Sequence, residues 1–190
     1  MLRVSDTKDY LLKDGEPFFY LADTVWAAFA NLSIERWQQY LGFRRAQGFN
    51  ALQVSILPIT HDTSTSDGND DPFLPDADGN WDFYRLNEAY FDKAERMVAM
   101  AVESGFVPVL GVVWKCHVPG TRASQCSPIP SAMPLDAVKA YAEVAAQRFS
   151  KFTPIFFISG DTAWDSEQEP PYYMAALEIV RTICPDSLIT

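Results

Sequence analysis

Pro154-Ile-Phe-Phe-Ile-Ser-Gly-Asp-Thr-Ala-Trp164 is the stretch whose reading decides the fold. It opens as a short apolar run without alternation, the pattern of a strand buried on both faces. The run ends at Ser159-Gly160, and a carboxylate, Asp161, follows at once with Trp164 close behind. Parallel sheets deliver side chains to ligands at the carboxyl ends of their strands. Gly160 removes side-chain bulk where the backbone turns out of the sheet. Asp161 is therefore expected where a buried strand meets solvent, desolvated on one side by the Trp164 ring. The competing reading is a helix N-cap or turn aspartate.

Working outward, the same pattern of buried strand, helix and terminating glycine recurs. Lys13-Asp-Gly-Glu16 carries the Asp-Gly turn of a small hairpin, and Phe18-Phe-Tyr-Leu21 is expected to enter a buried strand that stops at Ala22-Asp23-Thr24, with Trp26 just beyond. Ser33 opens a helix in which Ile34, Trp37, Tyr40, Leu41 and Arg44 recur at helical spacing, and Gly48 ends it. Residues 49–57 form a second strand, with the polar Gln53 inside it. A buried polar side chain needs partners, so Gln53 serves the core or faces a ligand. Residues 58–86 read as one long polar loop, functional or mobile as such loops usually are. A helix follows from about Asn87 to Ser104, then a strand from Phe106 to Val113 ending at Trp114-Lys115. A Pro- and Ser-rich segment, 118–134, is expected to carry little order. Leu135 to Phe149 and Tyr172 to Thr182 are helices, and Ser187-Leu-Ile-Thr190 looks like the start of a fifth strand.

This alternation specifies an α/β fold with parallel pairing. Neither GxGxxG nor GxxxxGK[ST] occurs, which removes the main support for a nucleotide-binding version. A (β/α) barrel and an open flavodoxin-like sheet remain, and the strand-end residues Asp23, Gln53, Trp114 and Asp161 on one rim favour the barrel. With 190 residues, 48% of them hydrophobic, the chain has material for one sizeable core. A formal net charge of −10 argues against nucleic acid or an anionic membrane as partner. Cys116, Cys126 and Cys184 make an odd count without CxxC spacing, so reduced thiols are expected. The first residues lack the apolar core of a signal peptide. A cytoplasmic chain is the expectation as written, or a secreted or periplasmic one if a leader has been removed.

Three strand ends pair an aromatic plane with polar groups: Asp23 with Trp26, Trp114 with Lys115 and His117, and Asp161 with Trp164. Sugar rings stack their C–H faces on such planes while fixed polar groups bind the hydroxyls. For each ring singly, a place in the core is the equal alternative. His61-Asp62 and Cys116-His117 both follow strands, but their spacing is no zinc signature. Asp76-Ala-Asp-Gly-Asn-Trp-Asp82 alternates oxygen ligands, yet Trp81 and Asn87 stand where a calcium loop of the EF-hand kind needs Gly and Glu. No metal or cofactor is expected.

Gly15-Glu-Pro-Phe-Phe-Tyr-Leu-Ala-Asp-Thr-Val-Trp26, Gln47-Gly-Phe-Asn-Ala-Leu-Gln53, Leu86-Asn-Glu-Ala-Tyr-Phe-Asp92, the Trp114 strand end and Ser159-Gly-Asp161 together resemble the apiosidase-like (β/α)8 glycoside hydrolases, a family that includes bacterial proteins described as collagen-binding. The resemblance runs from about residue 10 to the end. It implies a TIM-type barrel, with residues 1–190 forming the N-terminal part: four β/α units and the start of a fifth strand, against about 250 residues for a whole barrel. It implies that Asp161 is the general acid/base, and that Asp23, Trp26, Gln53 and Trp114 line a site for an oligosaccharide or glycan; the strand-end pairing of aromatic and polar groups adds His117 and Trp164 as expected substrate-binding residues. Ser159 replaces the first of two glycines usual before that Asp, and Lys115 departs from the residue usual after the strand-three Trp. The implied partner carboxylate is a Glu on a later strand, and no residue of this chain takes its role. The expected function is glycoside hydrolysis by carboxylate acid/base chemistry, with this chain as the acid-bearing half; the alternative is a non-catalytic carbohydrate-binding module. Half a barrel leaves open edges, so self-association is also expected.

Overall fold

The computed structural model of the chain describes residues 2–60, 70–162, 164 and 167–190. Three short strands, β1 (Leu2–Val4), β2 (Leu11–Lys13) and β3 (Glu16–Phe18), pair antiparallel in that order. Asp14 and Gly15 both take positive φ, 55° and 93°, the two-residue hairpin geometry that Asp-Gly favours. Then β4 (Ala22–Thr24), β5 (Ala51–Ser55), β8 (Val107–Gly111) and β9 (Ile155–Phe157) form a four-stranded parallel sheet in the order β4-β5-β8-β9. Ile189 adds a parallel bridge to Phe156 at the far edge. Each new strand is laid on the same side of the last. A flavodoxin-like sheet reverses its strand order near the start, so the winding is that of a barrel: four β/α units and the first residues of a fifth strand.

The helices are α1 (Ala28–Asn31), α2 (Ile34–Ala46), α3 (Glu88–Glu103), α4 (Arg122–Gln125), α5 (Leu135–Phe149) and α6 (Glu169–Ile183). The Ser33 hydroxyl caps α2 by accepting from the Arg36 N–H at 3.2 Å, and Gly48 with φ 88° ends it. Asn50, two residues on, fixes the chain before β4. Its side chain accepts from Leu21 N–H at 2.9 Å and donates to the Phe19 carbonyl at 2.6 Å. No described helix is long and apolar enough to cross a membrane.

Register sorts the sheet into two faces. Leu52, Val54, Leu110 and Phe156 join the main core under the helices, with Trp37, Tyr90, Tyr141 and Phe149. Ala51, Val107, Val109 and Ile155 face the barrel interior, where half a barrel is expected to leave apolar positions facing nothing. Instead Leu2, Leu11 and Phe18 of the antiparallel sheet pack on them, and Val107, Val109 and Ile155 are 2–8% exposed. Burying a side chain of this kind is worth about 1.5–3 kcal/mol, so the N-terminal hairpin stabilises part of the interior.

Three expectations need correction. The first barrel strand is Ala22–Thr24, later than the Phe18–Leu21 run, because Phe18 is already paired with Leu11 in the hairpin. The long polar loop contains a hairpin of its own, β6 (Phe73–Pro75) with β7 (Trp81–Leu86). Asp76 closes its turn by accepting from the Asp78 and Asn80 N–H groups, each at 2.9 Å, which also accounts for the acidic run that looks like a calcium loop. The segment 118–134 is well anchored: Thr121, Ser131 and Met133 are buried. Thr121 donates to the Lys115 carbonyl at 2.9 Å, Ser131 to that of Cys116 at 2.8 Å, and the Met133 N–H to that of His117 at 2.9 Å.

Candidate active site

Backbone pairing carries the site residues to the rim. Val25 N–H bonds the Gln53 carbonyl at 2.9 Å and Ser55 N–H bonds the Trp26 carbonyl at 3.0 Å, so the β4–β5 ladder runs on to Trp26. Val112 and Val113 N–H groups bond the Phe157 and Ile158 carbonyls at 3.0 and 2.9 Å, which delivers Trp114 to the same level. There Trp26 and Trp114 lie 5.0 Å apart between ring centroids, tilted by 50°, and both meet the edge of Phe157. These rings wall a cavity of about 630 Å³ that also touches Tyr20, Gln53, Gly160 and Asp161. The wall depends on two glycines. A Cβ on Gly111 would enter the Phe157 ring, and one on Gly160 would enter the Trp114 ring. Gly160 is required by that ring, which sharpens the sequence-based view that it merely frees a turn.

Asp161 takes a positive φ of 57°, a conformation aspartate tolerates better than most residues. It is solvent-exposed and borders both this cavity and a smaller one of about 310 Å³ lined by Lys115 and Arg122 beyond Trp114. The expected desolvation by Trp164 is not what the structure shows. Trp164 is 62% exposed, and its ring meets Tyr173 edge-on at 5.6 Å. Gln53 resolves its two readings in favour of the cavity: its Nε2 donates to the Tyr20 hydroxyl at 2.9 Å, and both residues line the space.

Two more of the expected binding residues lie elsewhere. Asp23 is in register with Leu52, on the helix-facing side of the sheet. Its carboxylate accepts from the Tyr40 hydroxyl at 2.6 Å and pairs with Arg44, both on α2. Burial first, then that hydrogen bond, raises the Tyr40 pKa; the Tyr40 hydrogen bond in turn raises Arg44. His117 is fully buried behind Trp114, its ring stacked near Trp81. Asp23, His117 and Trp164 therefore fall outside the cavity, while Trp26, Gln53, Trp114 and Asp161 come together. Tyr20 and Phe157 also line it and were missed; the rest of the lining is Val4 and Leu11 of the hairpin sheet, Val109 and Ile155 of the barrel interior, and residues 188–190. Counting back from Trp26 by twos, through Thr24 and Ala22, would have found Tyr20 and excluded Asp23. His61-Asp62 lies outside the described residues, and among those described no group of three or more His, Cys, Asp or Glu is placed to hold a metal.

The sequence pattern of the family described as "Apiosidase-like, catalytic domain" matches residues 5–190. The chain belongs to that family. A structure described as a glycoside hydrolase is similar to it with a TM-score of 0.73 and 22% identity, over 99% of this chain and 40% of that one. A family 5 glycoside hydrolase from Bacteroides vulgatus is similar with a TM-score of 0.74 and 22% identity, over 99% and 38%. The endo-1,4-beta-mannanase of Rhizomucor miehei is similar with a TM-score of 0.64 and 13% identity, over 99% and 59%. The apiosidase-like chain thus spans about two fifths of the length of the first two, and these likenesses carry the fold. No curated protein sequence matches the apiosidase-like chain.

Proposed function

We propose that this chain is the acid-bearing half of a glycoside hydrolase acting on oligosaccharides or glycans. The observation that carries the reading is Asp161, a carboxylate at the mouth of a cavity walled by Trp26, Trp114 and Phe157. Aromatic faces suit the C–H faces of a sugar ring, and Gln53 with Tyr20 offers an amide and a hydroxyl to its hydroxyl groups. Asp161 then protonates the leaving glycosidic oxygen. An exposed position beside the cavity lets it exchange its proton with water between turnovers.

Hydrolysis of this kind uses two carboxylates flanking the bond. Asp161 supplies the side-chain carboxylate of the described lining, and the family resemblance puts its partner, a Glu, on a later barrel strand. That single carboxylate favours, for the 190-residue chain alone, the second reading of a carbohydrate-binding module. Aryl glycosides and pectic oligosaccharides distinguish the two. Binding with turnover by a chain that includes the later strands, and binding without turnover by residues 1–190, is the expected pair of results. Turnover by the longer chain that survives Asp161→Asn would remove Asp161 from the reading, and binding without turnover by both would select the module.

Self-association through the sheet edges belongs to the same reading. Among the described residues β4 has a partner on one side, β5, and the segment ending at Thr190 pairs on one side with β9. An open edge offers unpaired backbone groups to another chain. Sedimentation of residues 1–190 is expected to show association; a monodisperse monomer across a wide concentration range argues against it.

A further inference from the structure

The 3-10 turn that follows Trp114, Lys115–His117, holds a buried pair whose chemistry the sugar site does not use. His117 is fully buried, and both of its ring nitrogens face backbone carbonyls: Nδ1 lies 3.2 Å from the Ser131 oxygen and Nε2 3.0 Å from the Pro58 oxygen. A neutral imidazole has one N–H and one lone pair. Placed here, it would set that lone pair against a carbonyl lone pair while the ring itself is out of reach of water, and an unpaired buried acceptor is costly. Only the imidazolium donates to both. A buried cation needs a counter-charge, and the residue beside it on the same turn is Cys116, whose thiol is itself fully buried.

We propose that Cys116 and His117 form a buried thiolate–imidazolium pair that fastens the loop after β5 and the loop after α4 behind the Trp114 wall, making His117 a positioning residue for the cavity. The proton moves from sulfur to ring nitrogen, so the pair forms with no net change of charge. Pro58 belongs to one loop and Ser131 to the other, and each gives its carbonyl to one end of the ring. Further bonds tighten the same junction. Ser131 donates to the Cys116 carbonyl, and Ser127 reaches Thr60 across the two loops at 2.9 Å. Cys116 packs in one cluster with Ile59 and Trp114, against which Trp26 and Phe157 also rest. The pair therefore stands directly behind the aromatic wall.

The surroundings agree. Burial, the largest single influence, pushes the Cys116 thiol up, but the charge and hydrogen bond of His117 together with bonds from Thr60 outweigh it and hold the thiol at about 7. Burial pulls His117 down, and the charge of Cys116, its hydrogen bond and the two carbonyls carry it above its ordinary value. Among the described residues, the other groups facing the pair include Trp81, which is uncharged, and the Tyr173–Glu169 pair of α6, where Tyr173 feels the Cys116 charge and its hydroxyl donates to Glu169 at 3.2 Å. Lys115 is the neighbouring cation on the same turn.

Nitrogen NMR of the isotope-labelled protein near neutral pH tests the pair. The chain has two histidines, and His117→Gln assigns the signals. Both ring nitrogens of His117 are expected to carry protons, and the ultraviolet absorbance of a thiolate is expected to vanish in Cys116→Ser. That variant should also lower the pH at which His117 loses its second proton by about one unit or more. One bare ring nitrogen near neutral pH, an imidazolium without thiolate absorbance, or a His117 titration unmoved by Cys116→Ser would each overturn the proposal. The positioning role rests on the sugar-site reading. It predicts that Cys116→Ser raises KM with kcat kept, and a kcat loss without a KM change would contradict it. A protein with no glycosidase activity at all would sink the sugar-site reading while leaving the NMR result to stand or fall by itself.

Discussion

Asp23-Thr-Val-Trp26 and Asp161-Thr-Ala-Trp164 share one spacing, one pair of functional residue types and a place near the end of a parallel strand. Their side chains do opposite things. At the first strand the tryptophan enters the cavity and the aspartate turns back to Arg44 and Tyr40 under the helix. At the fourth strand the aspartate reaches the cavity and the tryptophan leaves for Tyr173. The cause is where each motif sits on its strand. Asp23 is still within β4, in register with Leu52, so the two-residue alternation of a strand sends it to the helix face. Asp161 lies beyond β9, after the chain has passed Gly160 and entered a left-handed turn, where strand parity no longer applies. A shared motif therefore gives a shared role only when the backbone pairing beneath it is shared.

The sharpest way to break this comparison is to remove one carboxylate at a time. In a chain carrying the later strands, Asp161→Asn is expected to lower turnover on natural glycans by about 10²–10⁴-fold, with poor leaving groups affected most. Asp23→Asn should leave turnover within a few-fold and instead lower stability by about 1–3 kcal/mol, the scale for breaking a partly buried charged hydrogen bond. Turnover measured beside thermal melting decides: an Asp23→Asn enzyme that folds normally but does not turn over would restore the symmetry between the motifs.

Next come the rings. Trp26→Ala should weaken sugar binding by about ten-fold or more, since stacking on an aromatic face is worth on the order of 1–2 kcal/mol. Titration calorimetry checks it, and a variant that binds normally yet melts much lower would place Trp26 in the core. Gly160→Ala sharpens the same point from the backbone side. Its Cβ collides with Trp114, so about 1–3 kcal/mol of stability and the tilt of that ring should be lost together.

The pair behind the wall gives a smaller effect whose pH dependence has two opposing parts. The Cys116 thiol is held at about 7, below its ordinary value, so its contribution is lost as pH falls through about 7; His117 is raised above its own, so its contribution is present in the acid range and is lost as pH rises. Cys116→Ser removes both, so denaturant titrations should show a stability gap of about 1–3 kcal/mol that persists on both sides of neutrality. A gap that closes completely on acidification would mean that the thiol titrates without His117. Trp164→Ala is expected to do least: as an exposed ring away from the cavity it should change binding and stability by no more than about 0.5 kcal/mol.

Element type and order were legible along most of this chain because they depend on short-range physics. Ser33 and Gly48 bound α2, Asp14-Gly15 turns the first hairpin, and the apolar runs ending at Thr24, Trp114 and Gly160 supply the strands. The Asp78-Gly79 turn was equally visible in the sequence, but the charged residues around it masked the hairpin of β6 and β7. What the sequence alone determined was an α/β chain with aromatic and carboxylate residues at its strand ends, a consequence of local propensity and alternation. Only the tertiary structure decided which of those residues meet. Register sent Asp23 to α2, the approach of Trp114 required a bare Gly160, and the carbonyls of Pro58 and Ser131 took both nitrogens of His117. Each of those outcomes depends on backbone brought in from far along the chain, and spacing along a single segment carries no information about it.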